Sequence, residues 1–591
     1  MKEFVKMTLA TLFGLLVFGF ISFFMAIVFI GALAAAGDKQ PVMPSEGILK
    51  IDMAAIQLAE QTMEADPFAS LQGSSQQVTP LGIYSAIKAI DAAAYDPAIK
   101  FIYLKPDGAA GSFAHLEELR TALSDFRASG KAIVSYTENP GNGSYYLASV
   151  SDKIFMTSHE GGLNMFTGIS SQLIFLKDVL DRLGINVQLI RHGKYKSAGE
   201  MYVRSTASKE NMEQNQAMID SMWESWASEI AESRGITVNA LNRMLNNLEL
   251  NGPKDFLEKG LVDELLTLDQ LEQKLCDLYV AEDIKNVKSI SLADYAKLKN
   301  TVNFKAKSKV AVIYAEGNII DGKEKQQVAG DRFADIISDV RKDTTVKAVV
   351  LRVNSPGGSV IASDKIKAEI DLLKERVPVI ASYGDYAASG GYWISANCDK
   401  IYTNATTLTG SIGVFSMIYD LSGTMKNKLH VNVTPVKSNT HADMYTFMRP
   451  LDSQETAYMQ TSVETIYEQF TSLVAQGRDM TVADVDRIAQ GRVWTGAEAL
   501  EIGLVDEIGT IKDAITYAAL SIDGVIGLED VQVVEYPKPQ TTLEILLETL
   551  TGETNAFTGT ALEDVAEAFL SVKEDLNGKA YARIPYEMII E

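Results

Sequence analysis

Short apolar runs alternate with amphipathic stretches along most of this chain. Residues 100–104 and 347–351 are apolar runs typical of buried strands, and each is followed by apolar positions at helical spacing. Those positions are Leu116, Leu119, Leu123 and Phe126 after the first run and Ile366, Ile370 and Leu373 after the second. Further strand runs follow at 132–135 and 379–382. Strands alternating with helices predict βαβ units, and therefore an α/β fold with largely parallel sheets.

The same pattern occurs twice because the chain contains a large internal repeat. Gly111-Ser112, Ser135-Tyr136 and Asp152-Lys-Ile154 recur at one offset of 247 residues as Gly358-Ser359, Ser382-Tyr383 and Asp399-Lys-Ile401. Chance would not preserve one offset over three matches. We therefore predict an N-terminal α/β repeat at 46–300, a C-terminal α/β repeat at 305–540 and a C-terminal extension at 541–591.

The N-terminal region lacks charge over an unusual length. Residues 7–37 contain no charged side chain, and the apolar stretch exceeds the ~20 residues that cross a bilayer. Lys2 and Lys6 precede it, which predicts a cytoplasmic tail at 1–6, a transmembrane signal anchor at 7–37 and a catalytic body on the outer, periplasmic side of the cytoplasmic membrane. A cleaved signal peptide ending near Ala34-Ala35-Ala36 is the alternative, although the apolar stretch is about twice the usual length of 7–15 residues.

The composition of the chain limits the classes of function that it can have. The chain has 591 residues, too many for one core, and its net charge of −23 without a basic block argues against a nucleic-acid partner. Its two cysteines, Cys276 and Cys398, have no zinc or disulfide-framework spacing, although a single bridge between them stays open. Neither a metalloprotease motif nor a nucleotide-binding loop occurs, so we expect no metal and no other cofactor.

Candidate chemistry lies in two glycine-rich motifs of the second half. Asn354-Ser-Pro-Gly-Gly-Ser359 follows one strand run, and Asp385-Tyr-Ala-Ala-Ser-Gly-Gly-Tyr-Trp393 follows the next. A serine followed by two glycines, near another glycine pair, offers a nucleophile and backbone N–H groups that can approach a developing oxyanion closely. The pair predicts hydrolysis through an acyl-enzyme. The alternative interpretation is that the glycines only form tight turns and Ser389 only caps a helix.

The two halves differ where this chemistry would lie. Asn142 occupies the position equivalent to Ser389, and Asp107-Gly-Ala-Ala-Gly111 replaces the first glycine motif, so the first half lacks the nucleophile. The first half instead carries Arg191-His-Gly-Lys-Tyr-Lys-Ser-Ala198, whereas the matching stretch of the second half has a single, misplaced lysine, Lys437. This division predicts one composite site, although the lysines could also be solvated loop charges.

Activation of Ser389 requires a base. None of the five histidines lies in the motif region of the second half, and a buried lysine can serve once desolvation lowers its pKa. We favour Lys196 because small residues follow it and allow close approach, but the chemistry by itself leaves Lys194 open.

These motifs, together with Leu408-Thr-Gly-Ser-Ile-Gly413, closely resemble the long, duplicated form of the bacterial signal peptide peptidase A (protease IV) family. The resemblance extends from the anchor to the C-terminal Tyr581-Ala-Arg-Ile-Pro-Tyr586. It implies tandem Clp-protease/crotonase-like domains and a serine–lysine peptidase that degrades cleaved signal peptides at the cytoplasmic membrane. Membrane lipid and a homotetramer are the further partners that it implies.

Carried over residue by residue, the resemblance implies five roles. Ser389 is the nucleophile, Lys196 the general base and Ser411 the serine that orients the lysine, while the Gly358 and Gly390 N–H groups form the oxyanion hole. Two other functions remain as alternatives. A crotonase-type acyl-coenzyme A enzyme could use the same glycine N–H groups without a serine nucleophile, and a non-catalytic membrane scaffold would also explain the duplication and the acidic composition.

Overall fold

A computed structural model describes residues 41–62, 78–109, 111–162, 164–300, 303–325, 327–538 and 580–583, with short stretches between residues 6 and 25. Within these parts, no helix has both the length and the apolar character that a membrane crossing needs. Much of the predicted anchor at 7–37 and most of the extension at 541–591, including its amphipathic pattern at 543–550, lie outside the described residues.

The first half follows the predicted alternation of strands and helices. Its strands are β1 (Gly47–Asp52), β2 (Ile56–Ala59), β3 (Thr79–Gly82), β4 (Ile99–Lys105), β5 (Ile133–Thr137), β6 (Lys153–Thr157), β7 (Asn186–His192), β8 (Glu264–Leu266) and β9 (Ser289–Ser291). Its helices are α1 (Ile83–Tyr95), α2 (Phe113–Ala128), α3 (Asn142–Ala148), α4 (Lys177–Leu183), α5 (Glu200–Val203), α6 (Lys209–Arg234), α7 (Val238–Asn246), α8 (Pro253–Glu258), α9 (Leu268–Tyr279) and α10 (Leu292–Lys299).

The second half repeats this alternation. Its strands are β10 (Ser308–Glu316), β11 (Ile319–Ile320), β12 (Val328–Ala329), β13 (Val346–Ser355), β14 (Gly357–Ser359), β15 (Val379–Ala388), β16 (Lys400–Thr403), β17 (Leu408–Gly410), β18 (Val414–Asp420), β19 (Val493–Thr495), β20 (Glu507–Ile508), β21 (Val531–Tyr536) and β22 (Ala580–Arg583). Its helices are α11 (Gly330–Lys342), α12 (Val360–Lys374), α13 (Gly390–Ser395), α14 (Ser453–Gly477), α15 (Val482–Ile488), α16 (Gly496–Glu501) and α17 (Ile511–Leu520).

Each half contains one main sheet, as predicted. In the first, six strands pair in the order β8-β6-β5-β4-β1-β9, and every pair is parallel. In the second, the strand path is β19-β17-β15-β13-β10-β21. Strand β16 also pairs with β15, and β20 pairs with β16. Of these described pairs, only β17 and β19 are antiparallel. Parallel strands covered on both faces need nearly continuous apolar sequence, which explains why 347–351 has no alternating polar face. The predicted α/β fold is confirmed.

A third sheet joins the halves, with the order β12-β11-β14-β22-β18-β7. Strand β7 belongs to the first half by sequence but pairs antiparallel with β18 along seven residues, from Val414 opposite His192 to Asp420 opposite Asn186. Its segment therefore packs with the second repeat. The predicted domains are one contiguous range per repeat, so they assign β7 to the first repeat although it pairs with a strand of the second.

The halves also share a hydrophobic core. One cluster of buried side chains contains Ile87 and Leu104 of the first half together with Val350 and Ile515 of the second. Cys276 and Cys398 are both buried and both unpaired, so the bridge left open by the sequence does not form.

A buried ion cluster crosses the same interface. The Arg352 guanidinium of β13 lies 2.7 Å from a carboxylate oxygen of Glu60 and 2.9 Å from one of Glu118, both of the first half. It also donates to the hydroxyl of Ser382 and the carbonyl of Tyr383 on β15. Burial by itself raises the pKa of Glu60, but the charges of Arg352 and His115 reduce it to about 2. The cluster thus holds β13 and β15, two strands of the second half, against the first half.

We predict that Arg352→Met destabilises the protein by about 3–5 kcal/mol near pH 8, because it leaves two buried carboxylates without their partner. Without the guanidinium, burial raises their folded-state pKa values above those of the unfolded chain. The destabilisation relative to the unchanged protein should therefore be smallest at the lowest pH, where these carboxylates are protonated, and should grow as the pH rises. Denaturant unfolding at pH 5 and pH 8 measures this difference.

Arg376→Met is the matched control, because Arg376 is exposed and, within the described part of the chain, its guanidinium donates only to the backbone carbonyls of Asp343 and Val346. It should cost less than about 1 kcal/mol at both pH values. An Arg352→Met variant as stable as this control would contradict the importance of the buried cluster.

Candidate active site

Ser389 lies at the junction where β15 ends and α13 begins, and it is fully buried. Its φ of 55° and ψ of −111° are unusual for a residue with a side chain, and its N–H donates to the carbonyl of Gly410 at 2.8 Å. The hydroxyl does not cap α13. The helix-cap interpretation is therefore wrong, and the strained backbone aims the side chain elsewhere.

That hydroxyl meets a lysine of the first half. The Nζ atom of Lys196 lies 2.8 Å from Ser389 Oγ, 2.9 Å from Ser411 Oγ and 3.0 Å from the Ser411 carbonyl oxygen. Lys194 is exposed, and its Nζ lies 4.9 Å from the centroid of the Tyr195 ring. Of the two lysines that the sequence left open, the structure brings Lys196 to the serine.

The Lys196 amine is held in a site that disfavours its charged form. The side chain is 1% exposed, and its three hydrogen-bond partners are neutral oxygen atoms. Burial lowers the pKa of Lys196 well below its ordinary value. A lower pKa enlarges the fraction of neutral amine, and only the neutral amine can accept a proton, as a general base must.

Three glycines enclose this lysine, and only two of them lie in the motifs quoted above. A Cβ on Gly491 would come within 2.5 Å of Lys196 Cβ, and one on Gly413 would lie 3.2 Å from Lys196 Cδ. A Cβ on Gly193 would come within 2.4 Å of the Gln490 carbonyl, which accepts the N–H of Tyr195. Gly491 was missed because it lies in none of the recognised motifs.

Polar side chains fix the lysine loop from its other side, and sequence reasoning also missed these. Arg191 donates to the Lys196 carbonyl at 2.6 Å and pairs with Glu200. Gln214 of α6 donates to the Tyr195 carbonyl and to the Ser197 hydroxyl. Glutamine and arginine are common in helices and loops, so no local signal distinguished these two.

Ser411 occupies the short turn between β17 and β18. Its φ is 47°, and its N–H donates to the Arg492 carbonyl at 2.7 Å. Both its hydroxyl and its carbonyl face the lysine amine. The turn therefore supplies two of the three hydrogen-bond partners that orient the amine.

The two glycines expected to form an oxyanion hole are also neighbours. A Cβ on Gly390 would lie 3.1 Å from the Gly358 nitrogen and 2.8 Å from Ser363 Oγ. Gly358 has a φ of 156°, and a Cβ there would lie 1.9 Å from the Ile319 carbonyl oxygen. Only glycine fits either position, and both backbones lie beside the nucleophile-bearing turn.

In the first half, the position equivalent to Ser389 is occupied by Asn142, which bonds to backbone groups of the same half. Asn142 at the start of α3 accepts the N–H groups of Thr167 and Gly168 and donates to the Gly168 carbonyl. Asp107 accepts the Thr137 hydroxyl and the Glu138 N–H. These contacts are structural, as expected of a half that lacks the nucleophile.

Elsewhere, His441, Asp452 and Glu455 place ligand-type atoms within 4.8 Å of one another. Arg449 pairs with Glu455, and Asp452 and Glu455 form the capping box of α14. The carboxylates are thus already used in an ion pair and a helix cap.

A buried serine that contacts a buried lysine, beside two close glycine backbones, is the arrangement of a serine–lysine hydrolase. A profile described as peptidase family S49 matches residues 125–281 and 371–523, one segment in each half. Protease 4 of Haemophilus influenzae is 33% identical over 513 residues, which cover 84% of this chain and 83% of that protein.

Two other relatives agree. The chloroplastic serine protease SPPA of Arabidopsis thaliana is 31% identical over 77% of this chain and 68% of its own length. A putative signal peptide peptidase SppA of Enterococcus faecium is 35% identical over 39% of this chain and 68% of its own length.

The chain belongs to peptidase family S49 and is a serine peptidase with a duplicated family domain. The resemblance seen in its motifs is confirmed, and both the acyl-coenzyme A enzyme and the non-catalytic scaffold lose their support.

We predict that Gly491→Ala lowers kcat/KM by about 10²-fold or more, because the new methyl group displaces Lys196 by a distance that proton transfer does not tolerate. Steady-state peptide hydrolysis measures the loss, and thermal unfolding measures the accompanying strain.

Gly524→Ala is the matched control. Its φ of 81° is close to the 76° of Gly491, but a Cβ there meets nothing within 4 Å. The strained backbone should cost each variant about 1–3 kcal/mol of stability. Overlap with Lys196 should add to this loss in Gly491→Ala, and only Gly491→Ala should lose activity. Equal activities in the two would show that Gly491 does not position the lysine.

Proposed function

We propose that this peptidase is a membrane-anchored serine–lysine endopeptidase that degrades cleaved signal peptides at the cytoplasmic membrane through an acyl-enzyme. The observation that carries the catalytic part is the 2.8 Å contact between Lys196 Nζ and Ser389 Oγ inside a buried site. Its polar atoms supply a nucleophile, a neutral amine and backbone donors without any further group.

In the first step, neutral Lys196 takes the proton of the Ser389 hydroxyl as Oγ attacks the carbonyl carbon of a peptide bond. A carbon–oxygen bond forms, and the carbonyl π electrons move to the oxygen. The N–H groups of Gly358 and Gly390 stabilise this oxyanion, and the loss of one such donor would lower the rate by ~10²–10³.

The intermediate then breaks its carbon–nitrogen bond, and the protonated Lys196 gives its proton to the leaving amine. The acyl group remains on Ser389. Water attacks this ester while Lys196 again takes a proton, and the peptide acid is released as Oγ recovers its proton. Ser411 holds the amine toward Oγ through both stages, since its hydroxyl and carbonyl contact Nζ.

Two features support signal peptides as substrates and the membrane as the location. The uncharged residues 7–37 follow Lys2 and Lys6, which favours an anchor with an outward-facing body. The relative from Enterococcus faecium is named a putative signal peptide peptidase. The resemblance further implies a homotetramer and contact with membrane lipid.

We predict that Ser389→Ala and Lys196→Met each lower kcat/KM by about 10⁴-fold, because the two groups act as a unit. Lys194→Met is the matched control and should retain activity near that of the unchanged protein. The wild-type kcat/KM should rise with pH through the Lys196 pKa, well below 10.5, since the neutral amine is the base.

A fluorophosphonate probe that acylates active serines provides the second measurement. It should label the unchanged protein and Lys194→Met at Ser389 and should leave Ser389→Ala unlabelled. An inactive Lys194→Met variant beside an active Lys196→Met variant would transfer the base role to Lys194. Absence of labelling in the unchanged protein would overturn the serine mechanism.

Location and substrate are tested on the full chain expressed in bacteria. Mass spectrometry of the mature protein should retain residues 1–37, and the protein should fractionate with membranes. Profiling with peptide libraries should show a preference for extended apolar segments, which signal peptides contain. An N-terminus near Gly37 would show that the span is a cleaved signal, and a preference for charged peptides would contradict the substrate class.

A further inference from the structure

A turn at residues 490–492 contacts both the proposed base and the serine that orients it. The first carbonyl of the turn accepts the Tyr195 N–H at 2.9 Å, and its last carbonyl accepts the Ser411 N–H at 2.7 Å. A Cβ on its central glycine would overlap with the backbone and the Cβ of Lys196. The position of this turn therefore sets the positions of the lysine and of Ser411 relative to each other.

The turn has a backbone conformation that its surroundings must enforce. Gln490 has a φ of 54°, and Gly491 has a φ of 76°. A left-handed conformation at a residue with a side chain persists only where other contacts stabilise it. The Gly491 N–H donates to the Ile412 carbonyl at 2.8 Å, which fixes the turn at its centre. Gln490 must be held by other groups.

Tyr467 of α14 holds Gln490. Its hydroxyl accepts the Gln490 N–H and the Gln490 side-chain amide, each at 3.3 Å, and donates to the Asp486 carboxylate of α15 at 2.6 Å. Asp486 accepts the same side-chain amide at 2.6 Å. Burial, together with the Asp486 carboxylate, raises the pKa of Tyr467, so the hydroxyl stays protonated and continues to donate.

The ring of Tyr467 also contacts the loop that carries the lysine. It stacks on the imidazole of His192, with ring centroids 3.8 Å apart and an angle of 22° between the planes. His192 ends β7, four residues before Lys196, and α14 packs against that strand. One side chain of the second half therefore contacts the lysine loop directly and also through the turn at 490–492.

We propose that Tyr467 is a positioning residue for the serine–lysine reaction, and that its hydroxyl, together with Asp486, holds the turn at 490–492 against Lys196 and Ser411. The proposal rests on the proposed function, since it assumes that Lys196 is the base for Ser389. The hydrogen bonds of the Tyr467 hydroxyl go to Gln490 and Asp486, so it acts on the reaction only through the turn.

Tyr467→Phe in the full chain tests the proposal, because it removes the hydroxyl and leaves the ring on His192. The turn loses its acceptor, and Lys196 is then held less closely to the serine. A small misplacement of a reacting group can lower a rate by ~10²-fold. We expect kcat to fall at least about tenfold and KM for a short peptide to stay within about twofold, because the change acts on proton transfer.

The pH profile of kcat/KM separates positioning from a general loss of stability. The Lys196 amine has neutral oxygens as its three hydrogen-bond partners, and burial lowers its pKa. A loosened turn admits water, which stabilises the charged form and raises that pKa. The midpoint of the profile should therefore move to higher pH in Tyr467→Phe, whereas a variant that is only less stable would keep the midpoint of the unchanged protein.

Tyr145→Phe is the matched control. Tyr145 is also buried, and its hydroxyl donates to the Leu261 carbonyl at 2.7 Å within the first half. Both variants lose one buried hydroxyl, so thermal unfolding should show similar losses of stability. Tyr145→Phe should keep the kcat and the pH midpoint of the unchanged protein. Equal kcat values in the two variants, measured below both melting temperatures, would overturn the proposal.

Asp486→Ala keeps the proposal testable if Tyr467→Phe does not fold, because Asp486 is only partly buried. It removes the acceptor shared by the Tyr467 hydroxyl and the Gln490 amide, so kcat should fall about threefold or more. The double variant should be no less active than Tyr467→Phe, because the two groups act as a unit. An unchanged kcat in Asp486→Ala, or losses that multiply in the double variant, would contradict the proposal.

Labelling of Ser389 by a small fluorophosphonate separates this failure from failure of the proposed function. If Ser389 is labelled in the unchanged protein while Tyr467→Phe matches its control, only the role of Tyr467 is wrong. If Ser389 is not labelled in the unchanged protein, the serine mechanism itself is wrong, and Tyr467 loses its role with it.

Discussion

The burial of the Lys196 amine is the physical constraint on which the arrangement of this site depends. A charged ammonium is expensive to remove from water, so the burial of Lys196, which is 1% exposed and bonded to neutral oxygens, lowers the pKa of its amine well below the ordinary value. This shift favours the neutral form that the proposed proton transfer needs. The close approach of Gly413 and Gly491 follows from the same requirement, because side chains there would separate the lysine from its partners.

The amine and the hydroxyl come from opposite halves, so the interface between the repeats is part of the site. The seven-residue pairing of β7 with β18 brings the lysine loop to the turn that carries Ser411. The Arg352 cluster fixes β13 and β15, the strands that lead to Gly358 and Ser389, against carboxylates of the first half. The first half thus supplies Lys196 and the buried carboxylates Glu60 and Glu118, and the second half supplies Ser389 and Arg352.

Backbone strain is concentrated at the same place. Ser389 and Ser411 both have positive φ values, and each is held by a short backbone hydrogen bond, to Gly410 and Arg492 respectively. Such conformations cost ~1–3 kcal/mol each and persist only where the surroundings enforce them. At both serines the strain turns the side chain toward Lys196, which unstrained strand or helix geometry would not do.

The sequence by itself determined the α/β class, the repeat and the identity of Ser389 as the candidate nucleophile. These features are local: a βαβ alternation, a fixed offset and a serine followed by two glycines can be recognised within a few tens of residues. The family resemblance added Ser411, Gly358 and Gly390, which the structure places around one point. The small residues after Lys196 favoured it over Lys194 and the family resemblance named it as the base, but the chemistry of the two lysines by itself did not distinguish them, because both belong to the same loop and differ in position by two residues.

Only the tertiary structure decided which of these groups meet. Lys196 and Ser389 are 193 residues apart, and their contact depends on a strand that leaves its own repeat to pair with the other. Gly491 packs against Lys196 and Gln214 donates to the Tyr195 carbonyl, and neither residue carries a local signal in the sequence. Periodicity in the sequence shows which face of a helix or strand is buried. The partners of that face are selected by long-range packing, which no local pattern encodes. For this reason the sequence identified the candidate reacting groups but not their arrangement.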